Sequence, residues 1–177
     1  MLFRSLLYTQ EQFSDITRSP GWSGGLFDGR IRLPMRGALG DPRELERVLT
    51  HEYVHALVYS IAPRGVPVWL NEGLAGVFER GGVERARRDV EAAGVSGLPS
   101  LEALSGSFGS LPADQVRTAY AASTLAVKLL IDRAGPLAIT ALMTDLAGGT
   151  PLAEAFVNRA QIPFQDFDAE WRAALAR

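Results

Sequence analysis

The run His51-Glu52-Tyr53-Val54-His55 carries two imidazoles and a carboxylate at the spacing of a metal site. Successive helical residues turn by about 100°, so positions four apart fall only about 40° out of register and both imidazoles project from one helix face. At that separation two nitrogens share one tetrahedral zinc ion. Glu52 borders the same face and is better placed to reach a metal-bound water than the metal itself. A pattern this short also arises by chance on surface helices, but its neighbours argue otherwise. Leu45, Val48, Leu49, Val54, Ala56, Leu57 and Val58 make the segment apolar nearly all round, which predicts a buried helix. Polar groups there are costly unless something satisfies them, and a metal ion would.

A third ligand must be a carboxylate, because the chain has two histidines and no cysteine. Zinc hydrolases do combine two histidines with one glutamate and leave the fourth position to water. Glu72 is the candidate. It lies in the otherwise apolar run Trp69-Leu70-Asn71-Glu72-Gly73-Leu74-Ala75, and the break at residues 62–66 lets a second helix fold back beside the first. The alternative is an ordinary glutamate favoured by the dipole of a helix start.

Positioning these groups requires a scaffold, and its punctuation is readable. Residues 2–9 are apolar and β-prone, 11–18 suit a short helix, and Ser19-Pro20-Gly21 breaks it. Asp28-Gly29 between apolar pairs predicts a hairpin joining strands 24–27 and 30–34, with a loop at 37–40. The strand at 30–34, just before the histidine helix, is expected to offer an open edge to an extended peptide. Asp41 is a good N-cap, Pro42 suits the first helical position and Glu44 completes a capping box, which starts a helix running to about Ser60. Pro63-Arg64-Gly65 ends it. A second helix opens at Pro67 and stops at Gly81-Gly82, and a third covers 84–93. Residues 94–112, rich in Gly, Ser and Pro, form a candidate lid or cleft wall with a helical patch at 101–104. Helices resume at 113–134, 136–147, 151–160 and 166–176. The architecture is α+β: an amino-terminal sheet followed by helices. Trp22, Trp69 and Trp171 read as core residues, and Arg85-Ala86-Arg87-Arg88, set among Glu84, Asp89 and Glu91, as a solvated helix face.

Composition narrows the partners. A length of 177 residues accommodates one domain with a real core. The net charge of -2 gives no electrostatic reason to expect nucleic acid or an anionic membrane. No run approaches the length of a membrane span, and the start is too short and too polar for a secretory signal. Lack of cysteine leaves the compartment open. A chain that opens directly into a strand is expected to be a piece of a longer polypeptide.

The residues from Leu49 to Glu79, with His51-Glu52-x-x-His55 and then Trp69 to Ala75, resemble the gluzincin metallopeptidases. The nearest likeness is to bacterial peptidase MA-like domains related to the M1 aminopeptidases, and a weaker likeness in helix layout runs from Tyr120 to Trp171. The resemblance implies one zincin-like domain over residues 1–177, with the sheet and active-site helix in about 1–62 and the helical part in about 63–177. It implies zinc-dependent hydrolysis of a peptide or protein substrate, with His51, His55 and Glu72 as zinc ligands and Glu52 as catalytic base. The other reading is a catalytically silent zincin-like domain that binds metal or peptide. The Gly-x-Met-Glu-Asn element that anchors a free amino end in the M1 enzymes is absent, so exopeptidase specificity is not implied. The interval from the second histidine to the glutamate is also shorter than theirs, which implies a more compact variant. Related enzymes place an oxyanion-stabilising tyrosine ahead of a long helix. Tyr120 holds that position here, without the Lys-Gly pair that usually follows, and it reads equally as a core tyrosine. Glu79 is placed either to accept a hydrogen bond from a ligand imidazole or to sit solvated at a helix end.

Overall fold

The computed structural model of the chain describes residues 4–18, 25–35, 41–94 and 98–175. Among them, apolar residues near the amino terminus pair into three short strands: β1 (Ser5–Tyr8), β2 (Leu26–Phe27) and β3 (Ile31–Pro34). Helix α1 (Gln10–Thr17) separates β1 from β2. It starts in a capping box, where Thr9 accepts from the Gln12 amide and the Gln12 side chain accepts from the Thr9 amide. The Asp28-Gly29 turn closes the expected hairpin, with Gly29 at φ +91° and β2 antiparallel to β3. The breaker at 19–21, Trp22, the loop at 37–40 and the outer ends of the first two strands lie outside the described residues.

One expectation about this sheet fails. Strand β3 is not an open edge: β1 pairs with it in parallel on one side and β2 on the other, in the order β1-β3-β2. The hairpin signal shows only the local partner, whereas the crossover through α1 returns β1 to the other side of β3. The edges of the sheet are β1 and β2. Ile31 and Leu33 of β3 point inward with Val48, flanked by Phe27, Leu45 and Leu49, so the sheet rests on the next helix.

That helix, α2 (Pro42–Ile61), is capped by Asp41, which accepts from the Arg43 and Glu44 amides. The Glu44 carboxylate is taken by Arg47, at 2.8 and 2.6 Å, in place of the expected reciprocal cap. The forecast of burial on all sides is also too strong. Tyr53, Leu57 and Ile61 are 47%, 38% and 39% exposed. A sheet of three short strands covers only part of α2, reaching its last turns through Phe27 on Tyr59, and apolar composition alone does not reveal how far a cover extends.

Six further α-helices follow among the described residues: α3 (Val68–Phe78), α4 (Gly82–Ala93), α5 (Ala113–Ala134), α6 (Pro136–Ala147), α7 (Leu152–Ala160) and α8 (Phe164–Leu175). Trp69 of α3 is fully buried against Phe156 and Phe164, and these rings with Phe167 and Trp171 form the centre of the large core. Helix α3 lies close against α5 because Gly73 and Gly76 face it. A Cβ on Gly73 would collide with the Ser123 carbonyl oxygen, and one on Gly76 with the Thr124 hydroxyl. The segment between α4 and α5 is a wall rather than a lid in its described part. Leu98, Leu101, Leu104 and Phe108 are buried, and α8 holds it through Asp168 on the Leu101 amide (2.9 Å) and Arg172 on the Leu98 carbonyl (3.2 Å). This is the α+β, zincin-like layout expected from the resemblance. Among the described residues no helix is long and apolar enough to cross a membrane.

Candidate metal centre

Helix α2 carries His51 and His55 on the face turned toward α3, and the two rings meet edge to face with centroids 4.6 Å apart. The sharp reversal at residues 62–67 brings α3 alongside, so Glu72 arrives opposite both. Its Oε2 lies 3.4 Å from Nε2 of His51 and 3.4 Å from Nε2 of His55. One donor atom from each of the three residues falls within 4.8 Å of the others. The Glu72 oxygen is buried and has no hydrogen-bond partner, a state that costs free energy unless another group completes it.

This donor set fits a small divalent cation. With bonds of about 2.0–2.1 Å, neighbouring ligand atoms of a tetrahedral ion are about 3.4 Å apart, and two edges of the triangle have that length. The outer nitrogens of both rings are engaged elsewhere. His51 Nδ1 lies 2.6 Å from Glu79 Oε1, and His55 Nδ1 lies 3.0 Å from Asn71 Oδ1. In the neutral ring each acceptor selects Nδ1 as the proton-bearing nitrogen, the form in which the Nε2 lone pair faces Glu72.

Electrostatics describe a tightly coupled cluster in the ion-free chain. Burial disfavours a charged His51, but the Glu72 and Glu79 carboxylates outweigh it and raise the imidazole to about 10. His55 is likewise raised, with burial opposing and Glu72 favouring its charge. Burial also opposes ionisation of Glu72, and the two imidazoles overcome it, lowering the carboxyl to about 2. Glu79 is lowered against its burial by His51 and Arg47.

Glu52 sits one residue beyond His51 and is 5% exposed, with Oε2 lacking a hydrogen-bond partner. Burial raises its pKa above the usual carboxylate range, more than the neighbouring imidazoles lower it. Glu79 is not on helix α3 but caps its end, in extended backbone conformation at φ -63° and ψ 140°. It is 8% exposed, so the solvated reading of this carboxylate does not hold. Tyr120 of α5 stands at the same cleft with its ring edge to face against Phe108, centroids 5.2 Å apart. Its hydroxyl is held protonated by burial and by the charges of Glu72 and Glu52.

The site opens into a cleft of about 1140 Å³, above the usual ~300–1,000 Å³ of small-ligand pockets. One stretch is apolar, with Leu26, Val58 and the Phe27–Tyr59 ring pair. Another carries Arg85, Asp89 and Arg117, and Ser107 and Gly109 of the wall also reach it. The basic cluster after α3 is therefore not all solvated face, since Arg85 turns inward onto Glu79.

Four residues at this site escaped the sequence reading. Asn71 was visible beside Glu72, and Arg47 lies one turn before His51 on the same face, but neither carries a spacing signature of its own. Arg85 depends on the turn at Gly81-Gly82, and Gly25 depends on how β2 lies over Glu52. A family model of the peptidase MA superfamily matches residues 14–177. No curated protein and no solved structure matches the chain.

Proposed function

The chain belongs to the peptidase MA superfamily, and on that premise we propose that it is a zinc-dependent metallopeptidase in which His51, His55 and Glu72 hold the ion and Glu52 moves the proton. The observation that carries this reading is the unpartnered Glu72 oxygen standing 3.4 Å from both Nε2 atoms. When bound, zinc supplies Lewis acidity, lowering the pKa of a water to about 7 and polarising the peptide carbonyl.

The chain's own groups supply the rest. Glu52 is buried beside the histidines, and the upward shift of its carboxyl suits proton exchange nearer neutral pH. Its free Oε2 takes the proton of the attacking water and passes it to the departing amine. Tyr120, kept protonated, donates its O–H to the oxygen on which negative charge develops. The cleft accepts an extended peptide with an apolar residue near Leu26 and Phe27.

The deciding experiment compares wild type with Glu52→Gln on a library of unstructured peptides, together with elemental analysis. Turnover in the wild type, lost in the variant while one zinc per chain remains, is the expected result. Retained turnover would reject the role of Glu52. Zinc uptake without hydrolysis in the wild type would assign the chain to the catalytically silent, metal- or peptide-binding alternative.

A further inference from the structure

Glu79 is held more elaborately than one imidazole requires. Its Oε1 accepts from His51 Nδ1 at 2.6 Å, while its Oε2 accepts from two guanidinium groups, Arg47 of α2 at 3.0 Å and Arg85 of α4. Arg47 is itself gripped by Glu44 one turn earlier on α2. The tight turn between α3 and α4 makes the second grip possible. Gly81 adopts φ +67°, and Gly82 packs so closely on the Gly76 carbonyl that any Cβ would collide with it. Helix α4 therefore doubles back and returns Arg85 to the carboxylate. The partner of His55 is simpler, a single neutral amide from Asn71.

A carboxylate bonded through one oxygen can still swing about its side-chain torsions. With both oxygens engaged by three groups from two helices, its plane is fixed, and so is the imidazole it orients. We propose that Arg47 and Arg85 are positioning residues for the metal centre: by clamping Glu79 from α2 and α4 they fix the ring of His51 with Nε2 aimed at the point shared with His55 and Glu72. Both act through Glu79. This inference rests on His51 being a metal ligand.

The test measures Zn2+ affinity of the full chain by competition with a chromophoric chelator, for wild type, Arg47→Met, Arg85→Met and the double variant. Zn2+ binding to the double variant is expected to weaken about tenfold, the lower end of the loss usual when an outer partner is removed. The visible absorption of bound Co2+ should shift with it. In a Glu79→Gln background, Arg85→Met is expected to leave affinity within about twofold, because the group it acts through is gone. Equal losses in both backgrounds would show that the arginines only support the fold, and would overturn the proposal. So would wild-type affinity in the double variant. If the double variant does not fold, Arg85→Met alone carries the test, since that side chain is 40% exposed and an about threefold loss is expected from removing half the clamp. A wild-type chain that takes up no stoichiometric Zn2+ would defeat the metal-centre reading underneath, a failure distinct from that of the clamp.

Discussion

Gly25 and Glu52 stand so close that a methyl group on the glycine would lie 2.6 Å from Oε1 of the glutamate. The residue just before β2 is thus pressed against the carboxylate assigned to proton transfer, and only hydrogen fits between them. In Gly25→Ala the flexible glutamate must yield, not the backbone. The expected result is a fall in kcat of about 100-fold, as for a catalytic group misplaced by about 1 Å. Zinc stoichiometry and thermal midpoint should hardly change. Peptide turnover measured beside metal content checks this, and an alanine variant with full activity would count against the contact.

Asn71 accepts from His55 Nδ1, so its loss should loosen the ring rather than remove a ligand. Asn71→Ala is expected to weaken Zn2+ binding by about 10–100-fold. Saturating Zn2+ should raise the unfolding midpoint of the wild type, by about 2.7 kcal/mol of stability at 100 times Kd, and should fail to do so in His55→Ala. Calorimetric scans with and without chelator distinguish these cases.

Helix α3 has no room for a side chain where it meets α5. Gly73→Ala would drive a methyl group into the Ser123 carbonyl and the Val127 side chain, and overpacking of this kind costs about 1–3 kcal/mol. Denaturant unfolding should register the loss. Metal affinity should fall as well, because the neighbouring residue is Glu72.

Asp145 of α6 accepts two hydrogen bonds from Arg159 of α7, at 2.6 and 3.0 Å. That pairing holds the Asp145 carboxyl below its usual range. A folded-state value below the unfolded one stabilises above the unfolded pKa of about 3.9, and the contribution disappears as pH falls through the lowered value. Arg159→Met should therefore have a slightly lower thermal midpoint than wild type at pH 6, with the gap closing as the pH falls below about 3.9 and on through the lowered value. A gap that widens on acidification would contradict the sign. The effect is small, because the pair lies at the surface.

Local signals carried much of this architecture. Asp41, Pro42 and the glycines at 81, 135 and 148 mark helix limits that the backbone obeys within a residue or two. His51, Glu52 and His55 stand out because four-residue spacing is itself a geometric statement. The grip of Asn71, Arg47 and Arg85 was not legible, because each meets its target only after two helices have folded against each other. The order of the strands escaped for a related reason. A turn reports its own two neighbours, whereas the return of β1 to β3 is decided by what α1 covers. Tyr53, Leu57 and Ile61 illustrate the remaining gap, since apolarity gives a helix a reason for burial but not a covering surface.

The glycine-lined contact between α3 and α5 has a mechanical consequence. Glu72 and Tyr120 ride on two rods pressed backbone to side chain, with no slack between them, so they shift together or not at all. Widening of the cleft to admit a bulky chain then falls to its other walls, among them Leu26 and Phe27 of a strand only two residues long.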